Sequence, residues 1–82
     1  MDWDLISFIK RSGQRQIILK VLENPKTPKE ISKATKLAPS HISRTLKEFM
    51  EKDIVKCLTP KQKTGRIYSL TEKGAKLLKK LS

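Results

Sequence analysis

The sequence is poor in the residues that form cross-links and bind metals. Its 82 residues include one cysteine and one histidine, so an internal disulfide is impossible and a tetrahedral zinc site lacks ligands. We therefore predict no metal and no cofactor. Cys57 and His41 are also the candidates for a nucleophile or a general base, and they lie on different predicted elements. The composition favours binding over catalysis, and we expect no enzyme activity.

Acidic residues and long apolar runs are scarce as well. No apolar run approaches the roughly 18 residues of a membrane span, and the N-terminus is acidic at Asp2 and Asp4, where a secretory signal is basic. We expect a cytoplasmic protein without membrane contact. The sequence has eight acidic residues and 19 Lys and Arg, which gives a formal net charge of +11. Such a charge density attracts polyanions, nucleic acids among them.

The length of the chain limits it to one core. A chain this short buries only about 60–65% of the surface that its unfolded form exposes, and we expect a single domain over residues 1–82. Basic residues occur from Lys10 to Lys80 without a block of five like charges. This distribution places the charge on folded surfaces and not in a disordered tail.

The first segment is apolar nearly all round. Residues 3–9 carry five apolar side chains in seven, more than one stripe of a surface helix requires. We predict a helix over 2–11 and keep two explanations open for its second apolar face. It packs back onto the chain's own core, or it meets a second copy of the chain. The prediction that we adopt is a homodimer, with an interface formed by Trp3, Leu5, Ile6, Phe8 and Ile9.

Apolar spacing and capping residues predict three more helices between residues 14 and 52. Residues 14–23 have the periodicity of an amphipathic helix that stops before Pro25. Thr27 and Glu30 form the pattern of a capping box around Pro28, which predicts a helix over 28–36. Proline is tolerated only in the first helical turn, so Pro39 predicts a helix over 39–52.

The last third of the sequence predicts a hairpin and a closing helix. The β-prone runs 54–58 and 66–70 flank a loop, which indicates a hairpin over 54–70. Thr71 is a favourable N-cap for a helix over 72–81. The predicted fold class is mainly α with a β-hairpin (α+β), in the order α-α-α-β-β-α with an extra N-terminal helix.

The helices 28–36 and 39–52, joined by a short turn, match the helix-turn-helix motif, whose second helix enters the major groove of DNA. Small residues near its N-terminus allow close approach, and arginine can form a bidentate contact with guanine. An ordinary solvent-facing surface is the alternative. The outer face of the second helix carries Ser40, His41, Ser43, Arg44 and Lys47.

The predicted hairpin loop is basic and long. It carries Lys61, Lys63 and, at its end, Arg66, with no acidic residue between Thr59 and Ser69. Hairpin loops usually have two to five residues, and unusually long loops tend to be functional or disordered. We expect this loop to contact the phosphate backbone of DNA.

Three stretches of the sequence carry a family resemblance: TPKEISKA at 27–34, SHISRTLKEF at 40–49 and GRIYSLTEKG at 65–74. Together they resemble the winged helix-turn-helix transcription regulators of the MarR and ArsR type, particularly small archaeal members. The resemblance covers about residues 14–81. It implies that the helix-face residues named above contact bases or phosphates of DNA, and that Lys61, Lys63 and Arg66 lie in or beside the wing.

The sequence departs from that family pattern in two respects. Asp53 stands where the family often has glycine, and aspartate tolerates a left-handed turn better than most residues. The Cys and His clusters of metal-sensing ArsR members are missing, so metal sensing does not carry over. The predicted function is a sequence-specific transcriptional regulator that binds double-stranded DNA. A structural chromatin or replication-associated protein with little sequence preference stays open as the alternative.

Overall fold

In a computed structural model, which describes residues 3–81, the chain forms five helices and a two-stranded antiparallel hairpin. The predicted α+β fold class is confirmed. In chain order the elements are α1 (Trp3–Lys10), α2 (Gly13–Val21), α3 (Pro28–Thr35), α4 (Pro39–Glu51), β1 (Val55–Cys57), β2 (Tyr68–Leu70) and α5 (Glu72–Leu81).

The helices begin and end within two residues of their predicted limits. Residue 2, where the first predicted helix begins, lies outside the described residues. The strands are shorter than predicted. One more ladder bond joins the Leu58 N–H to the Ile67 carbonyl at 2.7 Å, but the Ile67 N–H donates to the Thr59 hydroxyl at 3.0 Å. Because a side chain replaces the next backbone acceptor, the ladder ends there.

Side-chain capping accounts for where α2 and α3 start. Ser12 caps α2, and Thr27 caps α3 through both bonds of a capping box. The Thr27 N–H donates to Glu30 Oε1 at 2.9 Å, and the Glu30 N–H donates to Thr27 Oγ1 at 3.2 Å. The Thr27 N–H, followed by the Thr27 hydroxyl, lowers the pKa of Glu30 below its usual value, because these bonds favour the ionised carboxylate.

The turn between α3 and α4 is held by its own side chains. Lys36 ends α3 with a left-handed backbone, φ 64°. The Ser32 hydroxyl donates to the Leu37 carbonyl at 2.8 Å, and the Thr35 hydroxyl accepts from the Leu37 N–H at 3.3 Å. Asp53 follows the end of α4 in the same left-handed region, φ 61°, the conformation that the family resemblance implied for this position.

The core lies around α2, which packs against all four other helices. Helix α4 inserts Ile42, Leu46 and Phe49 into it, and each is at most 3% exposed. The other fully or nearly fully buried apolar residues come from every remaining helix, the α2–α3 connection and the start of the hairpin: Leu5, Ile9, Ile18, Leu19, Leu22, Ile31, Ile54, Val55 and Leu77.

The structure corrects the predicted dimer interface. Leu5 and Ile9 are 7% and 0% exposed within the chain's own core, so their side chains are not available to a second copy. Phe8 is half-buried, and its ring meets Phe49 edge-on at 6.2 Å between centroids. The side of α1 that carries Leu5, Phe8 and Ile9 packs against the chain's own core. The explanation that α1 packs back onto this core therefore holds for these three residues. Trp3 remains 68% exposed.

Arg15, which lies on α2, contacts both α1 and α4. Its guanidinium lies 3.9 Å from the centroid of the Phe8 ring and donates to the Phe8 carbonyl at 2.8 Å. It also pairs with Glu48 of α4 at 3.3 Å, and both side chains are partly buried. One arginine therefore holds the end of α1 against the recognition-helix candidate.

The hairpin gains a third strand segment from the α2–α3 connection. Lys26 and Tyr68 exchange two backbone bonds of 3.0 and 2.8 Å. Thr27 precedes Pro28, and a residue in that position is biased towards extended backbone; its φ and ψ are −82° and 160°. The chain is consequently already extended where it reaches β2.

The start of α5 is fixed to the end of α4. The Thr71 hydroxyl donates to the Asp53 carbonyl at 2.6 Å and accepts from the Gly74 N–H at 3.0 Å. Gly74 is buried, and a Cβ built on it would collide with the carbonyl oxygen of Ile54. The close approach of α5 to the chain before β1 therefore depends on glycine at position 74, because glycine has no Cβ.

Gly74→Ala should destabilise the protein by about 1–3 kcal/mol, because the overpacked contact is with backbone and exceeds the gain in helix propensity of about 1 kcal/mol. Urea unfolding measures this difference. Gly13→Ala is the matched control, since a Cβ there meets nothing within 4 Å. Equal free energies of unfolding for the two variants would contradict the packing account.

Candidate nucleic-acid interface

Helix α4 separates into a buried and an exposed face. Ile42, Thr45, Leu46 and Phe49 are buried. The residues between them at helical spacing are exposed to solvent. We give the name reading face to the exposed residues of α4 between positions 40 and 47. All five predicted helix-face residues belong to it and are exposed: Ser40, His41, Ser43, Arg44 and Lys47.

The N-terminus of α4 differs from those of α2, α3 and α5 in having no side-chain cap. Ser12, Thr27 and Thr71 each accept a bond from the first turn of α2, α3 and α5. Ala38 occupies the corresponding position of α4 and offers no acceptor. The first-turn N–H groups of a helix lack intrahelical partners and carry positive partial charge. At α4, Pro39 has no N–H and the His41 N–H donates to the Ala38 carbonyl at 3.0 Å, so the Ser40 N–H is the first-turn donor that remains.

The loop of the hairpin, residues 58–67, is ordered by short-range bonds. The Gln62 N–H donates to the Thr59 carbonyl at 3.1 Å, and Gly65 adopts a left-handed turn with φ 65°. The side chains of Lys61 and Lys63 are exposed on this loop. Both charges therefore lie at the tip of the hairpin.

Arg66 has a structural contact that the sequence did not indicate. Its Nε donates to the Gln62 carbonyl, which braces one side of the loop against the other. The residue is exposed, so its charge still contributes to the positive potential of the hairpin. The predicted residues thus form two exposed clusters, one on α4 and one on the loop.

Two contacts that position these clusters could not be read fully from the sequence. The Arg15–Glu48 pair joins residues 33 positions apart, and no periodicity relates them. The Lys26–Tyr68 bridge was detectable in part, because the Thr27-Pro28 pair predicts an extended segment, although not its partner.

Within residues 3–81, the structure shows neither a membrane span nor a metal-binding cluster. No helix in this range is long and apolar enough to cross a membrane. No group of three or more His, Cys, Asp or Glu side chains in it is arranged to hold a metal ion. Cys57 is a half-buried free thiol on β1.

A helix-turn-helix followed by a hairpin with an ordered loop defines a winged helix-turn-helix domain. A model of the winged helix-turn-helix family matches residues 10–82. The chain belongs to this family. Comparison with curated proteins gives no significant match.

Solved structures of MarR-family regulators share the fold. A mutant of ZitR from Lactococcus lactis is 26% identical with a TM-score of 0.68, over 83% of this chain and 47% of that one. MarR from Staphylococcus aureus, in complex with salicylate and kanamycin, is 25% identical with a TM-score of 0.76, over 93% and 55%. A mutant of MarR from E. coli, complexed with operator DNA, is 23% identical with a TM-score of 0.65, over 94% and 68%. The chain spans about half the length of the first two proteins.

Proposed function

We propose that the chain is the DNA-binding part of a transcriptional regulator and that α4 recognises a specific duplex sequence in the major groove. One observation carries this proposal. A set of small polar and basic side chains shares the exposed face of α4, while the opposite face is buried in the core. The similarity to a MarR structure with operator DNA supports the class of ligand.

The reading face suits the two tasks of groove binding. Ser40 and Ser43 are small enough to let the helix backbone approach the bases, and the Ser40 N–H at the uncapped N-terminus of α4 is available to a phosphate. Arg44 has the length and the fork of donors for O6 and N7 of a guanine. His41 and Lys47 flank these residues and supply further contacts to phosphates or base edges.

The wing supplies affinity without base recognition. Lys61 and Lys63 are flexible point charges, which bind phosphates and carry little base information. Arg66 braces the loop and adds to its charge. Such a regulator shares a compartment with the chromosome, and we propose a cytoplasmic location on this ground. We assign no catalytic role to any residue.

A homodimer is part of the proposal, with a reduced interface. Trp3 is the most exposed large apolar side chain of α1, and Ile6 and Phe8 are half-buried beside it. A two-fold dimer through this end of the molecule would place two α4 helices one DNA turn apart, about 34–36 Å, and would favour a palindromic site.

Selection of bound fragments from random duplex DNA tests the central proposal. A regulator should enrich one motif, with a specificity ratio of roughly 10³ or more over random duplex. Binding without enrichment of any motif would favour the alternative of a structural DNA-binding protein. Absence of duplex binding at moderate salt would reject both.

Arg44→Ala should cost about 1–3 kcal/mol of binding free energy on the selected site and relax the preference at one base pair. Competition binding with each base pair of the site replaced in turn measures both effects. Arg11→Ala is the matched control, because Arg11 is exposed outside both clusters and removes the same charge. If the two variants lose affinity equally on every duplex, Arg44 does not contact a base.

The double variant Lys61→Gln, Lys63→Gln should weaken binding to all duplexes alike. The slope of log affinity against log salt should fall by about 0.9 for each phosphate that the wing no longer neutralises. The control is Lys10→Gln, Lys20→Gln, which removes two exposed lysines from α1 and α2. A wild-type slope in the wing variant would show that the wing does not touch the backbone.

Sedimentation equilibrium at tens of micromolar protein and moderate salt, which screens the repulsion between two cationic chains, tests the dimer. The wild type should sediment as a dimer, and Trp3→Glu should shift it to monomer. Leu58→Glu changes an apolar residue that is 47% exposed on the wing and should leave the dimer intact. A monomeric wild type would reject the dimer and leave α1 as part of one chain's own core.

A further inference from the structure

The positive charge of the chain extends well beyond the surface proposed to bind DNA. The reading face and wing hold five of the 19 basic residues, namely Arg44, Lys47, Lys61, Lys63 and Arg66. The remaining 14 still outnumber the eight acidic residues. Most of the positive charge therefore lies outside the reading face and the wing, and α5 carries the highest density of lysines among the described helices.

Helix α5 carries four lysines and one acidic residue in its ten positions. Its inner side is formed by Gly74 and Leu77, which are buried, with Leu78 and Leu81 packed at the edge of the core. Three exposed lysines follow the spacing i, i+3, i+7 on the outer side. We call them the α5 lysine stripe: Lys73, Lys76 and Lys80.

The stripe lies away from the reading face. Thr71 fixes the start of α5 to Asp53, just beyond the C-terminal end of α4, whereas Ser40 and Arg44 occupy the first turns of α4. A helix of 13 residues separates its two ends by roughly 20 Å at 1.5 Å per residue. The tip of the wing lies at the opposite end of the hairpin from Leu70, where β2 leads into α5. A duplex that contacts the first turns of α4 and the tip of the wing thus leaves the stripe open.

Folding accounts for Lys80, which lies in the last turn of α5, where the helix dipole favours a positive charge, but not for the other two lysines of the stripe. Lys73 lies in the first turn of α5, where the helix dipole disfavours a positive charge. Lys76 pairs with Glu72 at 3.7 Å, but these side chains are 72% and 87% exposed, and exposed pairs of this kind contribute little stability. Two of the three lysines therefore bring no evident benefit to the folded state.

We propose that the α5 lysine stripe binds the phosphates of a second DNA duplex, so that one chain bridges two duplexes; this rests on the proposed function of the reading face. The stripe spans about 10 Å of helix, along which a duplex presents about six phosphate charges. Lysines without arginines favour backbone contact over base recognition. An anionic membrane is a poorer partner, because the leucines of α5 are buried or half-buried against the core and, within residues 3–81, none of the large exposed apolar side chains lies on α5.

A duplex-capture assay tests the proposal. One duplex carrying the selected site is fixed to a surface, the full chain is added, and retention of a second, fluorescent duplex is measured. The stripe variant is Lys73→Gln, Lys76→Gln, Lys80→Gln, and glutamine keeps a helix propensity close to that of lysine. The control variant is Lys10→Gln, Arg11→Gln, Lys20→Gln, which has the same net charge. Circular dichroism checks that both variants fold.

The wild type and the control variant should retain the second duplex to similar extents. The stripe variant should retain about tenfold less, since its three glutamines cannot neutralise phosphates. Affinity for a single duplex, followed by fluorescence anisotropy, should be equal in the two variants. Equal capture by both variants would overturn the proposal, and so would a selective decrease of single-duplex affinity in the stripe variant.

Two further results separate this proposal from its alternatives. If the wild type binds the fixed duplex but captures no second one, the bridging proposal fails while the proposed function stands. If the wild type does not bind the fixed duplex, the proposed function fails first. Retained capture by the stripe variant, together with abolished binding to phosphatidylserine vesicles, would assign the stripe to membranes and overturn the assignment to DNA.

Discussion

Burial of the apolar stripe of α4 is the constraint on which the rest of the structure depends. Ile42, Leu46 and Phe49 are nearly inaccessible, and each contributes roughly 1.5–3 kcal/mol by leaving water. A rotation of α4 about its axis would expose these side chains, so the helix has one orientation. The same orientation turns Ser40, Ser43 and Arg44 outward. The reading face is thus defined by what the opposite face buries.

The remaining elements hold α4 in that orientation. Helix α2 lies at the centre, and Arg15 on it binds both the end of α1 and Glu48 of α4. Thr71 binds the chain just beyond α4 and begins α5. The wing lies between α4 and α5 in the chain, and Lys26 adds a third segment to its sheet. The basic side chains of the reading face and the wing consequently project from elements that are fixed on several sides.

Much of this architecture was predictable from local signals. The capping box at Thr27, the prolines at 28 and 39 and the cap at Thr71 determine where helices begin, because they act within a single turn. Contacts between distant parts of the chain were not predictable, and the Arg15–Glu48 pair is an example. The apolar character of α1 indicated two buried faces but could not distinguish its own core from a second copy. Leu5 and Ile9 belong to the former, while the exposed Trp3 keeps the latter open as a proposal.

The central claim is that the exposed face of α4 and the wing, acting together, contact one duplex. An NMR titration with one duplex per chain, carrying the selected site, tests this most directly. The account predicts that the largest amide shift changes fall within residues 40–47 and 61–66 and that the core residues of α1 and α2 change little. Large changes confined to α1 and α2, with α4 unaffected, would contradict it.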